Sequence, residues 1–409
     1  MHPPARPGEP LTSRGRLVLA LGLVIYVAAW GFGSKPLYPV ATGFLLLSAV
    51  SWGWLHLAKR PFRVRRGSGD YEHVEGDDVP VVVEVESTGR VLPPAATLVE
   101  RVGRLGEQRH ALRRHGRRLS IRYVLRALPR GRYAFRESRV ELSDPFGLQR
   151  AVIDLPAPGA LLVYPRLVEL RRLFSDAGVV AHAGQRLLLR RPTGFDLHSV
   201  REYEHGDSLR RVHWRSTAHR GQLMVKELED APRDEIAVLL DADASSVVGD
   251  SFEVQVRAAG SILDAYVRRG RRAVLVVNAG EQATQDVHSP VADWRRALEV
   301  LAAVEPGGGV SAARLLADAA GPATRALELA LVTARLEPQL VDRLAQRALG
   351  RRKVSLVFVD PTSFAGAEPR PNPALLRLQA AGVTIAVVRH GDDLADRLEG
   401  PLVAGAAHA

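Results

Sequence analysis

The chain has 409 residues and no cysteine, which excludes disulfides, thiolate metal sites and thiol nucleophiles. With 46% hydrophobic and 25% charged residues it is a folding composition, long enough for an anchor and two domains with cores of their own. A formal charge of +11 favours an anionic partner; without a nucleic-acid-binding motif, and with arginines clustered beside apolar stretches, lipid or acidic protein is expected and nucleic acid is not.

Residues 1–16 are predicted to be a cytoplasmic tail and residues 17–58 a two-helix transmembrane anchor. Residues 17–33 and 36–55 carry no charge, and each is near the ~20 residues needed to cross a bilayer as a helix. Trp30, Tyr38, Trp52 and Trp54 stand near the ends, where interfacial aromatics belong. Arg6, Arg14 and Arg16 precede the pair, Lys59, Arg60, Arg63, Arg65 and Arg66 follow it, and only Lys35 lies between. That asymmetry predicts both flanks inside, hence a multi-pass protein of the cytoplasmic membrane with its soluble domains in the cytoplasm.

Residues 68–166 read as short strands. Val79, Val81, Val83 and Val85 recur at every second position, as do Ile121, Tyr123 and Leu125. Arg130-Gly131-Arg132-Tyr133 enters another strand, and Asp144-Pro145-Phe146-Gly147 is a turn. A small β-sandwich is expected, with the arginine-rich residues 101–122 forming a solvated loop and strand edge; contact with lipid headgroups is the alternative.

Residues 167–234 are predicted to be a connector. Beyond them, residues 235–400 alternate apolar runs (236–240, 273–277, 327–332, 354–359, 383–388) with helical stretches. Phe252, Val256, Ala259, Leu263 and Tyr266 mark one amphipathic helix, which Gly270 stops; residues 336–349 and 373–381 read as two more. Buried strands alternating with helices predict a parallel, doubly wound α/β sheet with ligand positions at the strands' C-terminal ends. Residues 401–409 are expected to be a flexible tail.

The connector contains Arg201-Glu202-Tyr203-Glu204-His205-Gly206-Asp207, then Leu209-Arg210-Arg211-Val212-His213-Trp214-Arg215-Ser216-Thr217-Ala218. This resembles the signature of the bacterial "domain of unknown function 58" family, approximately R-E-Y-x-x-G-D-x-x-R-x-I-[DH]-W-[KR]-x-[ST]-A-R. Arg201, Glu202, Tyr203, Gly206, Asp207, Arg210, Trp214, Arg215, Thr217 and Ala218 match; His219 stands where the family usually has Arg. The two spans, R-G-R-Y at 130–133, D-P-F-G-L at 144–148 and V-Y-P-R at 163–166 extend the resemblance over roughly residues 15–300. The resemblance implies a von Willebrand factor A-like C-terminal domain and an accessory role beside a MoxR-type AAA+ ATPase.

Physically, the signature arginines can fork onto carboxylates while Tyr203 and Trp214 cover them and pack the connector against a domain. That structural network is one reading and a partner- or anion-binding surface another. Catalysis drawn from Asp207 and His213 is a third, with no nucleophile to complete it. His213 and His219, six apart, fit no common zinc-ligand pair.

Domains of the von Willebrand A type hold Mg²⁺ through Asp-x-Ser-x-Ser and later Thr and Asp residues. Here Asp241 and Ser245 match, Asp243 replaces the first Ser, and Val332-Thr333-Ala334 lacks the distal carboxylate. No cofactor is expected, with Mg²⁺ at this incomplete set the alternative. Asp241, Asp243 and Ser245 are the candidate strand-end contacts. The function expected is a non-enzymatic membrane-anchored adaptor, whose partners are a MoxR-type ATPase or its client protein and membrane lipid, in a cell-envelope or complex-assembly process. An envelope-related hydrolase and a passive membrane scaffold are the alternatives.

Overall fold

The computed structural model describes residues 11–58, 62–67, 72–87, 95–116, 118–155, 159–176, 197–202, 212–228, 236–279, 283–287, 291–307, 309–368 and 371–400. The chain divides into two units, Met1–Tyr164 and Pro165–Ala409.

The first unit opens with α1 (Ser13–Gly31) and α2 (Leu37–Ala58), both long and apolar enough to cross a membrane. Helix α1 starts before the uncharged stretch because Thr12 caps it, its hydroxyl accepting the Gly15 N–H at 3.0 Å. The helices meet through small residues. Gly22 and Ala29 are buried in α1, and Ala41, Ser48 and Ser51 in α2, while Gly15 is buried against Leu148. A Cβ on Gly22 would lie 3.0 Å from the Phe44 Cβ, so any larger residue would have to push the helices apart by a few tenths of an ångström. Tyr26 and Tyr38 meet edge to face at 5.6 Å. Leu17, Leu23, Val24, Trp30, Leu46, Val50 and Trp52 point outward and are exposed. Small side chains inside and large apolar ones outside reverse the arrangement of a helix in a water-soluble core.

Among the described residues ten strands follow: β1 (Phe62–Gly67), β2 (His73–Val74), β3 (Val79–Ser87), β4 (Ala95–Val102), β5 (Glu107–Ala111), β6 (Arg113–His115), β7 (Arg118–Leu125), β8 (Gly131–Ser143), β9 (Arg150–Asp154) and β10 (Ala160–Tyr164). They form one sheet in the order β1-β3-β7-β6 and another in the order β2-β10-β8-β4-β5, with β9 on β8. Val79, Val81, Val83 and Val85 turn inward and share a single core with Leu98, Val140 and Leu142 of the second sheet. Two sequence expectations need correction. The domain begins at Phe62 rather than 68, since Arg65 and Arg66 hide the alternation of β1. The arginine-rich residues 101–122 are mostly strand rather than loop: β5 and β6 are edge strands with no buried residue of their own, and Val102, Leu112 and Leu119 are buried beside them.

In the second unit β11 (Leu197–Glu202) pairs antiparallel with β12 (Met224–Leu228), and the short helix Trp214–Arg220 lies between them in sequence. A six-stranded sheet then runs in the order β15 (Ala283–Val287), β14 (Ala273–Val277), β13 (Ile236–Leu240), β16 (Glu328–Thr333), β17 (Lys353–Val359), β18 (Thr384–Val388). All its pairings are parallel except that of β14 with β15. Along β13, Ile236, Val238 and Leu240 enter one core and Ala237 and Leu239 another. Both faces are therefore covered, which is why the run is apolar without interruption. The helix Ser251–Arg268 packs in the first core through Phe252, Val256, Ala259, Leu263 and Tyr266, and the helix Pro338–Leu349 in the second through Leu340, Val341 and Leu344. The antiparallel edge β15 has no counterpart among the expected apolar runs; its Ala-Thr-Gln-Asp-Val sequence is too polar to announce a strand.

The expected connector loses its first ten residues to this body. The Val168 N–H donates to Ser261 Oγ at 3.0 Å, and Leu167 lies where any side chain at Gly260 would collide with it. Leu170, Leu173 and Phe174 are part of the core.

Candidate functional site

The C-terminal ends of adjacent parallel strands bring together Asp241 after β13, Asn278 after β14 and Thr333 at the end of β16. The Asp241 carboxylate accepts from Asn278 Nδ2 at 2.7 Å through one oxygen and from the Thr333 hydroxyl at 2.7 Å through the other. Asn278 turns its own carbonyl to the Ala242 N–H at 2.6 Å, and Thr333 Oγ1 receives the Arg335 N–H at 3.0 Å. Each side chain thus ties one strand end to the next. Burial of Asp241 raises its pKa, and the nearby Asp243 charge adds to the rise, against the hydrogen bonds from Thr333 and Asn278.

Asp243 and Ser245 form the outer layer. Asp243 caps a short turn, one oxygen accepting the Ser245 N–H at 2.9 Å. Its other oxygen faces the Arg335 guanidinium at 3.3 Å, and that guanidinium also donates to Ser245 Oγ and pairs with Glu337 at 3.3 Å. Partial burial opposes the charge on Asp243, but the hydrogen bonds from Ser245 and the Arg335 cation prevail and hold its carboxyl below the usual range.

Two corrections to the sequence expectations follow. Asp241 is only 5% exposed, so it organises this face rather than contacting a partner; Asp243 and Ser245 are the outward residues. The metal alternative also meets the wrong donor set. Asp241 already accepts a hydrogen bond on each oxygen, and a guanidinium stands between Asp243 and Ser245, supplying positive charge where a hard cation would need open oxygens. These residues do not fit Mg²⁺, and among the described residues no three His, Asp or Glu gather into a cation site. Asn278 and Arg335 escaped the sequence reading. Each is the first strongly polar residue beyond an apolar strand, a signal that was there to use.

The family signature is described in part. Arg201 and Glu202 end β11, opposite Val225 and Met224. Tyr203, Gly206, Asp207 and Arg210 lie outside the described residues, as does the Asp207 half of the acid–base pair. His213 caps the helix Trp214–Arg220, its Nδ1 meeting Ser216 Oγ at 2.7 Å and Ser216 N at 3.2 Å. Thr217 Oγ1 accepts the Met224 N–H at 3.0 Å, and the His213 N–H donates to Met224 O at 2.8 Å. These bonds fasten the helix to the start of β12, over buried Val212 and Met224. Trp214 was expected to pack the connector; it is instead 67% exposed. It stands at the first position of a short helix, with exposed Arg215 beside it.

Comparison with known proteins covers both groups of residues. Residues 199–363 match the model of a family described as "Protein of unknown function DUF58", bearing out the resemblance read from the signature. A relative, "Uncharacterized protein YeaD" of Bacillus subtilis (strain 168), is 25% identical over 280 residues, spanning 67% of each chain. Among solved structures, a von Willebrand factor type A protein from Catenulispora acidiphila is 15% identical with a TM-score of 0.29, the similarity covering 41% of either chain. The conserved hypothetical protein BatB from Bacteroides thetaiotaomicron is 16% identical over 39% of this chain and 91% of that one, with a TM-score of 0.27.

Proposed function

We propose that this DUF58-matching chain is a membrane-anchored, non-enzymatic adaptor that captures a protein partner on the strand-end face of its second unit. The fold is read as two transmembrane helices, a β-sandwich, and a doubly wound domain of the von Willebrand A type. The outward leucines, valines and tryptophans of α1 and α2 support spanning, and the basic residues on both outer flanks support a cytoplasmic location for the soluble domains.

The observation that carries the adaptor reading is the layered arrangement at the strand ends. Asp241, Asn278 and Thr333 brace the loops, and Asp243, Ser245 and Arg335 are held outward by that brace. A fixed charged constellation on rigid strand ends suits recognition of a complementary charged partner, at little ordering cost on binding. Asp243 and Glu337 outnumber Arg335, so the local charge is negative and a basic partner residue is the complement. The sequence resemblance makes a MoxR-type AAA+ ATPase, or its client, the first partner to test. A hydrolase reading finds less support, since nothing identifies a nucleophile to complete the acid–base set of Asp207 and His213.

The test is capture of a MoxR-type AAA+ ATPase from the same organism by the full chain in detergent, with and without a chelator. Capture that survives chelation and fails for an Asp243→Ala, Ser245→Ala double variant is the expected result. Full capture by that variant would remove this face from the function.

A further inference from the structure

We propose that the turn at residues 144–148, Asp-Pro-Phe-Gly-Leu, is a lipid-contacting wedge that seats the β-domain on the bilayer, with Phe146 entering the boundary between headgroups and acyl chains. The inference rests on the reading of α1 as a membrane span and adds a second, peripheral contact to it.

The turn is docked on the first turn of α1. The Thr12 N–H donates to Leu148 O at 3.0 Å, and its hydroxyl lies 2.7 Å from Gly147 O. Leu11 and Gln149 form an antiparallel bridge just before. At Gly15 the approach is so close that a Cβ would sit 2.1 Å from Leu148 O. Phe146 is therefore held level with the start of the helix. That level is the membrane boundary: Arg14 and Arg16 belong to this first turn, and Leu17, 70% exposed, begins the apolar surface.

The turn is also built to present its ring. Asp144 is buried, its carboxylate accepting the Phe146 N–H at 3.0 Å and the Gln149 N–H at 2.6 Å, while the Gly147 N–H closes onto Asp144 O at 3.0 Å. Leu148 is buried beneath. The turn thus directs its one acid and its leucine inward and leaves Phe146 58% exposed; Val152 of β9, which follows the turn, is exposed as well. A rigid, acid-free apolar tip beside arginines at the start of a span matches a bilayer surface containing anionic lipid. The tip is docked where a helix long and apolar enough to span begins, which selects lipid over a protein as its occupant.

The absence of native cysteine makes the experiment direct. The full chain carrying Phe146→Cys or Leu23→Cys is labelled with one environment-sensitive dye and reconstituted into phosphatidylcholine–phosphatidylglycerol nanodiscs. Some discs contain lipid bearing a nitroxide near the headgroup, others a nitroxide deep in the chain. The expected result is quenching at both sites, with the dye at position 146 losing about half its emission to the shallow nitroxide and less to the deep one, as an interfacial depth requires. Adding Gly15→Leu, which undocks the turn, should relieve quenching at 146 and leave it at 23. Quenching at 23 with none at 146 overturns the wedge while the span stands. Quenching at neither site overturns both. Shielding of position 146 from aqueous iodide without nitroxide quenching would mean that protein, not lipid, covers the turn, and would equally overturn the proposal.

Discussion

Thr333 and Asp241, 92 residues apart, are joined by a 2.7 Å O–H···O hydrogen bond between the ends of adjacent parallel strands. The same hydroxyl lies 2.9 Å from Arg335 O, so its single proton has two acceptors to choose from. When Asp241 is protonated, it can donate to Thr333 and Thr333 to Arg335 O. The network therefore tolerates either charge state, while burial favours the neutral one.

That preference fixes a pH dependence. The folded state holds the Asp241 proton more tightly than the unfolded state does, so stability falls as pH rises from the ordinary carboxylate value of 3.8 through the raised folded one. Asp241→Asn should abolish this slope, since an amide can accept from Asn278 and donate to Thr333. Asp241→Ala should instead lower stability by about 1–3 kcal/mol, because Asn278 Nδ2 and Thr333 lose a buried partner. Thermal unfolding of the three proteins across the acid range checks both statements. A slope that persists in Asp241→Asn would assign it to another group.

The outer layer calls for a different substitution. Asp243→Asn keeps an acceptor for the Ser245 N–H and removes the charge that pairs with Arg335 in a half-exposed position. Its unfolding midpoint should stay within ~0.5 kcal/mol of the parent, as for other half-exposed positions. Partner capture should weaken by about tenfold, mainly through the association rate and most at low salt. Capture titrations at two ionic strengths provide the check, and an unchanged affinity at low salt would count against a basic partner residue.

The legible and illegible parts of the fold differ for a physical reason. Strands β13 and β14 were legible to the residue, because a strand buried on both faces must be apolar throughout. The two long apolar helices α1 and α2 were legible from absence of charge alone. Strand β1 was not: Arg66 faces inward there, and its charge is neutralised by Glu100, a residue no local pattern connects to it. Thr333 was found as half of an expected pair, but Asn278 and Arg335 enter the site only through strand order. The exposure of Trp214 ran against its own residue type. Indole rings are expected in cores, and only the fold shows that the β11–β12 hairpin is fastened by Thr217 and His213 instead.

Glu100 supplies the sharpest stability prediction. It is fully buried and accepts from Arg66, from Tyr123 Oη at 2.7 Å and from Ser138 Oγ at 3.1 Å, while Arg66 also lies over the Phe135 ring at 4.4 Å. Burial, followed by the Glu100 charge, pushes the Tyr123 phenol far above its usual range, so that it remains a donor at any working pH. Glu100→Ala strands a mostly buried guanidinium and should cost ~3–5 kcal/mol. Tyr123→Phe removes one donor and leaves the ion pair, for about 1–3 kcal/mol. Denaturant unfolding of the full chain should rank them in that order; equal losses would mean the pair is not the central element.

Topology is tested by fusion. A reporter active only in the cytoplasm, joined after Ala409, should be active, and one joined within the short segment between α1 and α2 should not. The prediction follows from the arginines on both outer flanks against the single Lys35 between the helices. The opposite pattern would put the strand-end face and its proposed ATPase on different sides of the membrane, and the adaptor reading would fail with it.

The signature should divide into two kinds of residue. Thr217 belongs to the helix Trp214–Arg220, and its Oγ1 satisfies the N–H of buried Met224 at 3.0 Å. Thr217→Ala should therefore lower the unfolding midpoint by about 1–3 kcal/mol, the cost of a buried donor left without its acceptor. Trp214, two-thirds exposed, makes no comparable contribution to folding, and Trp214→Ala should leave the midpoint within ~0.5 kcal/mol. An exposed tryptophan beside an arginine is the composition of a binding hot spot, where truncation commonly costs 2 kcal/mol or roughly thirtyfold in affinity. Loss of capture by Trp214→Ala at unchanged stability would make the signature a recognition surface carried on a structural clasp. If stability falls and capture of the folded fraction is intact, the indole is packing after all, and the whole signature belongs to the framework.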